Sequence, residues 1–208
     1  MTVAQCLQLA RELERISDSA RLDIELILCH ILQKNRTWLF TWPDKGLTTD
    51  QQTLFNDFFL RRKSGEPIAH IIGQREFWSL PLAVDRSTLI PRPDTELLVE
   101  TALELFAKDY AGQIRHCLDL GTGSGAIVLA LASEKPDWQL LAVDQSPAAV
   151  ALAEKNRAHL NFVNVKIQAS NWFAQIPAQE FDCIVSNPPY IDPADPHLEQ
   201  GDVRFEPR

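Results

Sequence analysis

The sequence predicts an α/β protein: a Rossmann-like domain with a parallel sheet, preceded by a small N-terminal helical bundle and a β-hairpin linker. Three observations carry this. Residues 1–66 show helical periodicity only. From residue 114 strands and helices alternate. A glycine-rich turn, Gly121 to Gly125, stands between the first of those strands and the helix that follows. The implied division is 1–66 for the helical domain, 67–92 for the linker and 93–208 for the α/β domain.

In the helical part, Val3 to Arg15 places apolar residues at 3, 6, 7, 9, 10 and 13, the spacing of one buried helix face. Ser17 or Asp18 is expected to cap a second helix carrying Leu22, Ile24, Leu26, Ile27, Leu28 and Ile31. Thr49 or Asp50 caps a third, which carries Leu54, Phe55, Phe58, Phe59 and Leu60 and stops at Gly65. Arg61-Arg62-Lys63 reads as the basic last turn of that helix, where cations oppose the helix dipole.

The linker changes character. Ile68 to Ile72 and Phe77 to Val84 are rich in β-formers and flank Gly73 to Glu76, a pattern that predicts a hairpin. Leu89 to Asp94 is stiffened by Pro91 and Pro93, and Asp94 is placed to cap a helix over 95–108.

In the α/β part, strands are expected at 114–120, 140–143, 163–168 and 181–185. A helix covers 126–132, and another starts at Pro147, a favoured residue for a first helical position. Alternation of this kind predicts parallel strands with helices on both faces, and puts the fourth strand beside the first.

Composition bounds the function. The chain has 208 residues, 45% hydrophobic and 23% charged, with a formal net charge of -8. Holding nucleic acid by its phosphates calls for a basic surface, so direct nucleic-acid binding is not expected. Cys6, Cys29, Cys117 and Cys183 each sit in apolar sequence without metal-ligand spacing and read as reduced core thiols. His30, His70 and His116 read as core or boundary residues, so no metal is expected. The N-terminus lacks the basic and apolar regions of a secretion signal, and no apolar run approaches the roughly 20 residues that span a bilayer. The expected setting is the cytoplasm.

Two motifs carry chemistry. Asp119-Leu120-Gly121-Thr122-Gly123-Ser124-Gly125 is spaced G-x-G-x-G, neither the dinucleotide fingerprint nor a P-loop. Its glycines allow a sharp turn and close approach by a ligand. Asp144, at the end of the second strand, is placed to accept hydrogen bonds from two ribose hydroxyls. Together they describe a nucleoside held across two strand ends. The second motif, Asn187-Pro188-Pro189-Tyr190, follows the fourth strand. The Asn187 side-chain oxygen and the Pro188 carbonyl offer two acceptors for an NH2 group. The prolines fix the carbonyl's direction and add no competing N–H donors, and Tyr190 offers an aromatic face to a planar group.

The glycine loop resembles motif I of the class I S-adenosylmethionine methyltransferases, with Asp144 matching their motif II acid. Asn-Pro-Pro-Tyr is similar to the motif of members that methylate planar nitrogens. The helical N-terminal part, Gly65 to His70, Arg75 to Trp78, Leu89 to Glu96 and Val185 to Asp192 together resemble the peptide chain release factor N5-glutamine methyltransferase (PrmC/HemK) family over essentially all of the chain. That resemblance implies S-adenosyl-L-methionine as cofactor, with S-adenosyl-L-homocysteine as product. It implies class 1 release factors as protein substrates, methylated on the glutamine of their Gly-Gly-Gln motif. It also implies cofactor contacts at Gly121, Thr122, Gly123, Ser124, Gly125, Asp144, Trp172 and Asn187, with Trp172 near the adenine. Substrate contacts follow at Asn187, Pro188, Pro189 and Tyr190, of which Asn187, Pro188 and Tyr190 are the catalytic set. The helical domain would help grip the release factor.

The family continues past the point where this chain ends, with further strands completing the sheet. The expectation is therefore an incomplete methyltransferase domain, an unpaired fourth strand, lower stability and weak or absent methylation. Two alternatives stand beside the main reading: an adenine-N6 nucleic-acid methyltransferase, and an inactive partner-binding module.

Overall fold

The computed structural model describes residues 1–107, 114–189, 191–192, 195–196 and 201–207, which form two compact units. The first comprises residues 1–73 and 196–205, the second residues 74–195 and 206–208.

The first unit is helical. Helix α1 (Val3–Gln8) runs into a 3-10 turn (Leu9–Leu13), followed by α2 (Ala20–Leu32), α3 (Arg36–Thr41), α4 (Thr49–Lys63) and α5 (Ile68–Ile72). Both α1 and α4 open with a reciprocal capping box, Thr2 with Gln5 and Thr48 with Gln51. In each, the hydroxyl and the glutamine amide satisfy two end N–H groups at once. The sequence places the α4 cap at Thr49 or Asp50; Thr48 takes it because Gln51 stands three residues on. The α2 cap position is likewise Ser19 rather than Ser17 or Asp18. Helix α3, capped by Asn35, is absent from the sequence reading. Leu13, Ile24, Ile27, Leu28, Leu39 and Phe55 are fully buried at the centre of the unit.

The basic cluster is spent internally. Arg61 pairs with Glu66 at 2.8 Å, Lys63 with Glu12 at 2.7 Å, and buried Arg62 with buried Asp23 at 2.8 Å.

Residues 68–72 form a helix, not the expected strand. Isoleucine favours strands, but Ile71 buries itself among the bundle helices, and Gly73 ends the segment in the left-handed conformation at φ +72°. Tertiary packing overrides local preference here. The hairpin therefore starts later, with β1 (Gln74–Phe77) and β2 (Leu80–Ala83) paired antiparallel. Its turn is Trp78–Ser79 rather than 73–76, and both turn residues have positive φ, as a tight I′-like connection requires. Glu96 accepts from the Trp78 backbone N–H at 2.9 Å and Glu134 from its indole N–H at 2.8 Å. These bonds hold a turn that lacks glycine.

A 3-10 turn, Pro93–Thr95, then leads into α6 (Glu96–Leu105). Asp94 lies within that turn and does not cap the helix; the expected end at 108 lies outside the described residues. Next come β3 (His116–Leu120), α7 (Ala126–Glu134), β4 (Gln139–Asp144), α8 (Pro147–His159), β5 (Val165–Ala169) and β6 (Cys183–Ser186). The sheet order is β5-β4-β3-β6, all parallel.

Right-handed crossovers decide the faces. From β3 through β4 to β5 the chain steps in one direction, so α7 and α8 lie on one side. The return from β5 to β6 crosses the other side. On the first face Cys117, Leu140, Ala142, Val165 and Val185 pack under α7 with Val99 and Ala102 of α6. On the second, Leu118, Leu120, Leu141 and Val143 meet Ile176 and Phe181. That return segment, residues 170–182, is built of turns, so the expectation of helices on both faces is corrected for the described residues. Cys6 and Cys117 are buried, whereas Cys29 and Cys183 are half-buried; His116, at the start of β3, is exposed rather than core. Among the described residues, no helix is long and apolar enough to cross a membrane.

Candidate active site at the carboxyl ends of the strands

Leu120 is the register partner of both Val143 and Ser186. The chain therefore leaves β3, β4 and β6 at one level, bringing the glycine loop, Asp144 and Asn187 to the same edge of the sheet. The Ser186 hydroxyl reinforces this by donating to the Leu120 carbonyl at 2.8 Å.

The glycine loop is held from beneath. The Gly121 and Thr122 N–H groups both donate to the Val143 carbonyl, at 2.9 and 3.0 Å, and Gly125 N–H donates to the Thr122 carbonyl at 2.9 Å. Gly121, Gly123 and Gly125 all have positive φ, a conformation that costs other residues strain. Their surroundings differ. A Cβ at Gly121 would meet nothing within 4 Å, and one at Gly123 only the Thr88 Cβ at 3.8 Å. At Gly125 it would stand 3.0 Å from Leu129 and 3.3 Å from the Ala153 methyl. Gly121 and Gly123 thus leave open surface, while Gly125 makes room for helix packing. Ser124 is buried; its carbonyl accepts from the Asn156 side-chain amide, which also spans both polar backbone groups of Ala83.

Asp144 ends β4. One carboxylate oxygen accepts from Gly123 N–H and the other from Ser146 N–H, both at 2.9 Å. The acid expected to face a ribose is therefore tied to the loop expected to carry the cofactor. Ser170 N–H donates to the Asp144 carbonyl at 2.9 Å, and the Ser170 hydroxyl donates to the Trp172 carbonyl. Trp172 sits at φ +50°, half exposed, just past β5.

The Asn187 side-chain N–H donates to the Thr95 hydroxyl at 3.2 Å. Pro188 is half-buried and Pro189 exposed; Tyr190 lies outside the described residues.

Three features were not given roles by sequence reasoning. Asp119 is fully buried below the loop and accepts from the Thr122 hydroxyl at 2.7 Å. Burial raises its pKa to about 7; the Thr122 hydroxyl and the Val128 N–H oppose that shift, and the charge of Asp144 adds to it. Its place directly before the loop was the available signal. The Thr88 hydroxyl is buried beside Gly123 without a hydrogen-bond partner among the described residues. Buried Glu206 accepts from the Ile90 N–H at 3.2 Å and from Arg92 at 2.7 Å, and no local pattern marks it.

Residues 6–73 match the PrmC N-terminal domain and residues 93–201 the methyltransferase small domain. Over 207 residues the chain is 54% identical to a release factor glutamine methyltransferase of Shewanella oneidensis, covering 99% of this chain and 71% of the relative. The chain belongs to the release factor glutamine methyltransferase family. Another member, from Salmonella typhimurium, is 55% identical over 196 residues, 93% of this chain and 69% of its own length. Among solved structures the chain is similar to the N-terminal domain of human METTL16, at 19% identity and a TM-score of 0.45, over 80% of this chain and 63% of that one. As a member of the family it is an S-adenosylmethionine-dependent methyltransferase of the class I fold.

Proposed function

We propose that this chain transfers a methyl group from S-adenosylmethionine to the side-chain amide nitrogen of the Gly-Gly-Gln glutamine in class 1 release factors, in the cytoplasm. The observation that carries this is the convergence of the glycine loop, Asp144 and Asn187 at one sheet edge.

The residues fit the cofactor. Open surface over Gly121 and Gly123 leaves space for the methionine portion to lie against the loop. A carboxylate has about four lone-pair sites. Asp144 gives one on each oxygen to the backbone, and the remaining two match the two hydroxyls of a ribose. Trp172, half exposed just past β5, would flank the adenine end. When bound, S-adenosylmethionine supplies a methyl group on a positively charged sulfur.

The chain's own contribution is positioning. An amide nitrogen is a weak nucleophile because its lone pair is delocalised into the carbonyl. Asn187 Oδ1 and the Pro188 carbonyl accept its two N–H groups, and Pro189 follows on the same turn. This aims the nitrogen at the methyl carbon. With the cofactor bound, the new C–N bond would form as the C–S bond breaks, S-adenosylhomocysteine would leave, and one amide proton would pass to water. The helical unit contributes to the grip on the release factor.

The test is mass spectrometry of a class 1 release factor after incubation with enzyme and cofactor. A gain of one methyl on the Gly-Gly-Gln glutamine, lost in Asn187→Ala, is expected. Methyl label in DNA and none in the release factor would overturn the reading.

A further inference from the structure

The Asn-Pro-Pro-Tyr turn fixes its backbone far better than its first side chain. Two prolines restrict the main chain at 188 and 189, but the exposed Asn187 side chain retains rotation about both of its torsions. The direction of its amide matters. A substrate glutamine presents an NH2 group, which is a donor, so only the oxygen end of Asn187 can receive it. Turned over, Asn187 would present its own NH2 group to another, and the substrate would keep only one of its two acceptors, the Pro188 carbonyl.

Among the described residues, one side-chain bond bears on that choice: Asn187 Nδ2 donates to Thr95 Oγ1 at 3.2 Å, across 92 residues of sequence. Thr95 is well placed to hold a direction. It is half-buried and β-branched, which limits its rotamers. It ends the Pro93–Thr95 turn, a segment anchored on both sides. Before it, the Ile90 N–H and the Arg92 guanidinium bind buried Glu206. After it, Glu96 accepts from the Trp78 N–H at 2.9 Å.

We propose that Thr95 is a positioning residue for methyl transfer: by engaging Asn187 Nδ2 it leaves Asn187 Oδ1 as the acceptor for the substrate NH2. The chemical part of this inference rests on the glutamine-methylation reading; the hydrogen bond does not.

Two variants test it in the full chain. Thr95→Val keeps the shape and removes the hydroxyl, while Thr95→Ser keeps the hydroxyl. Side-chain 15N NMR of the Asn187 amide reads the bond directly. The wild type and Thr95→Ser should show a more ordered NH2 group with slower proton exchange than Thr95→Val. Turnover reads the consequence. Thr95→Val should lower kcat on a release factor by about tenfold, the worth of one positioning hydrogen bond, with KM changed by less than about twofold. Thr95→Ser should restore most of kcat. An Asn187 amide equally free in wild type and Thr95→Val would overturn the proposal, as would an amide released by Thr95→Val with kcat unchanged. A wild-type chain that methylates no release factor, yet shows the Thr95-dependent ordering, would sink the functional reading while leaving the hydrogen bond standing.

Discussion

Gly121 and Gly125 belong to one motif and share a positive φ, yet they should fail in different ways when given a side chain. In Gly125→Ala the left-handed backbone costs roughly 1–2 kcal/mol. The added methyl also lands 3.0 Å from Leu129 Cδ1 and 3.3 Å from Ala153 Cβ. The leucine can turn aside, but the alanine methyl is fixed to α8 and cannot move without the helix. Overpacking of that kind costs about 1–3 kcal/mol, giving a total of about 2–5 kcal/mol. In a chain of this size each kcal/mol moves Tm by roughly 2–4 °C, so a fall on the order of 4–20 °C is expected. Gly121→Ala bears the backbone cost alone, because nothing stands within 4 Å of its methyl, and its Tm should fall by only about 2–8 °C. The open space it fills is, however, the space assigned to the cofactor. Calorimetric unfolding of both variants, with titration of S-adenosylmethionine into each, separates the roles. Gly121→Ala should lose at least about tenfold in affinity while remaining the more stable of the two. Equal Tm losses would refute the packing argument, and undiminished affinity in Gly121→Ala would refute the cofactor assignment.

Two further outcomes follow from buried charge. Asp119 has a folded pKa of about 7 against an ordinary 3.8, chiefly from burial; between those values the folded chain holds a proton that the unfolded chain has lost. Its contribution to stability is therefore fully present below about pH 4 and is lost, by up to roughly 4 kcal/mol, as pH rises through about 7. Subtracting the urea-unfolding profile of Asp119→Asn should reveal this slope, and a difference independent of pH would contradict it. In the helical unit, Arg62→Met strands buried Asp23 without its partner and should cost about 3–5 kcal/mol. Adding Asp23→Leu should restore much of that loss, because a well-packed apolar pair can replace a buried ion pair. Denaturant titration of both proteins checks it, and a double variant no more stable than the single one would count against this account.

The elements that could be read from the sequence are those whose local chemistry and tertiary role agree. The strand-glycine-helix turn at 119–126, the proline-started helix at 147 and the apolar faces of α2 and α4 follow from short patterns that packing then endorses. Ile68–Ile72 and the Trp78–Ser79 turn show the opposite case. Five residues rich in β-formers become helical because Pro67 and Gly73 bracket them and the bundle buries them. A hairpin turn without glycine or asparagine persists because Glu96 and Glu134, 18 and 56 residues from Trp78, hold it from outside. Neither partner can be inferred from a window around the turn.

The same division runs through the candidate site. Glycines, a strand-end carboxylate and an Asn-Pro-Pro run are local devices: each constrains the few atoms next to it, so each leaves a local trace. What sets their relation to one another is not local. Ser186 reaches the Leu120 carbonyl, Gly123 reaches the Asp144 carboxylate, Glu206 grips Ile90 and Arg92, and Asn187 meets Thr95. Three of these four ties span more than 60 residues. The fourth, Gly123 to Asp144, joins the loop directly to the ribose acid. Joining them has a mechanical consequence. A change in Asp144 alters not only the acceptors offered to a ribose but also the Gly123 backbone on which the methionine portion would rest. Loss of that carboxylate should therefore weaken cofactor binding by more than the two ribose hydrogen bonds alone account for.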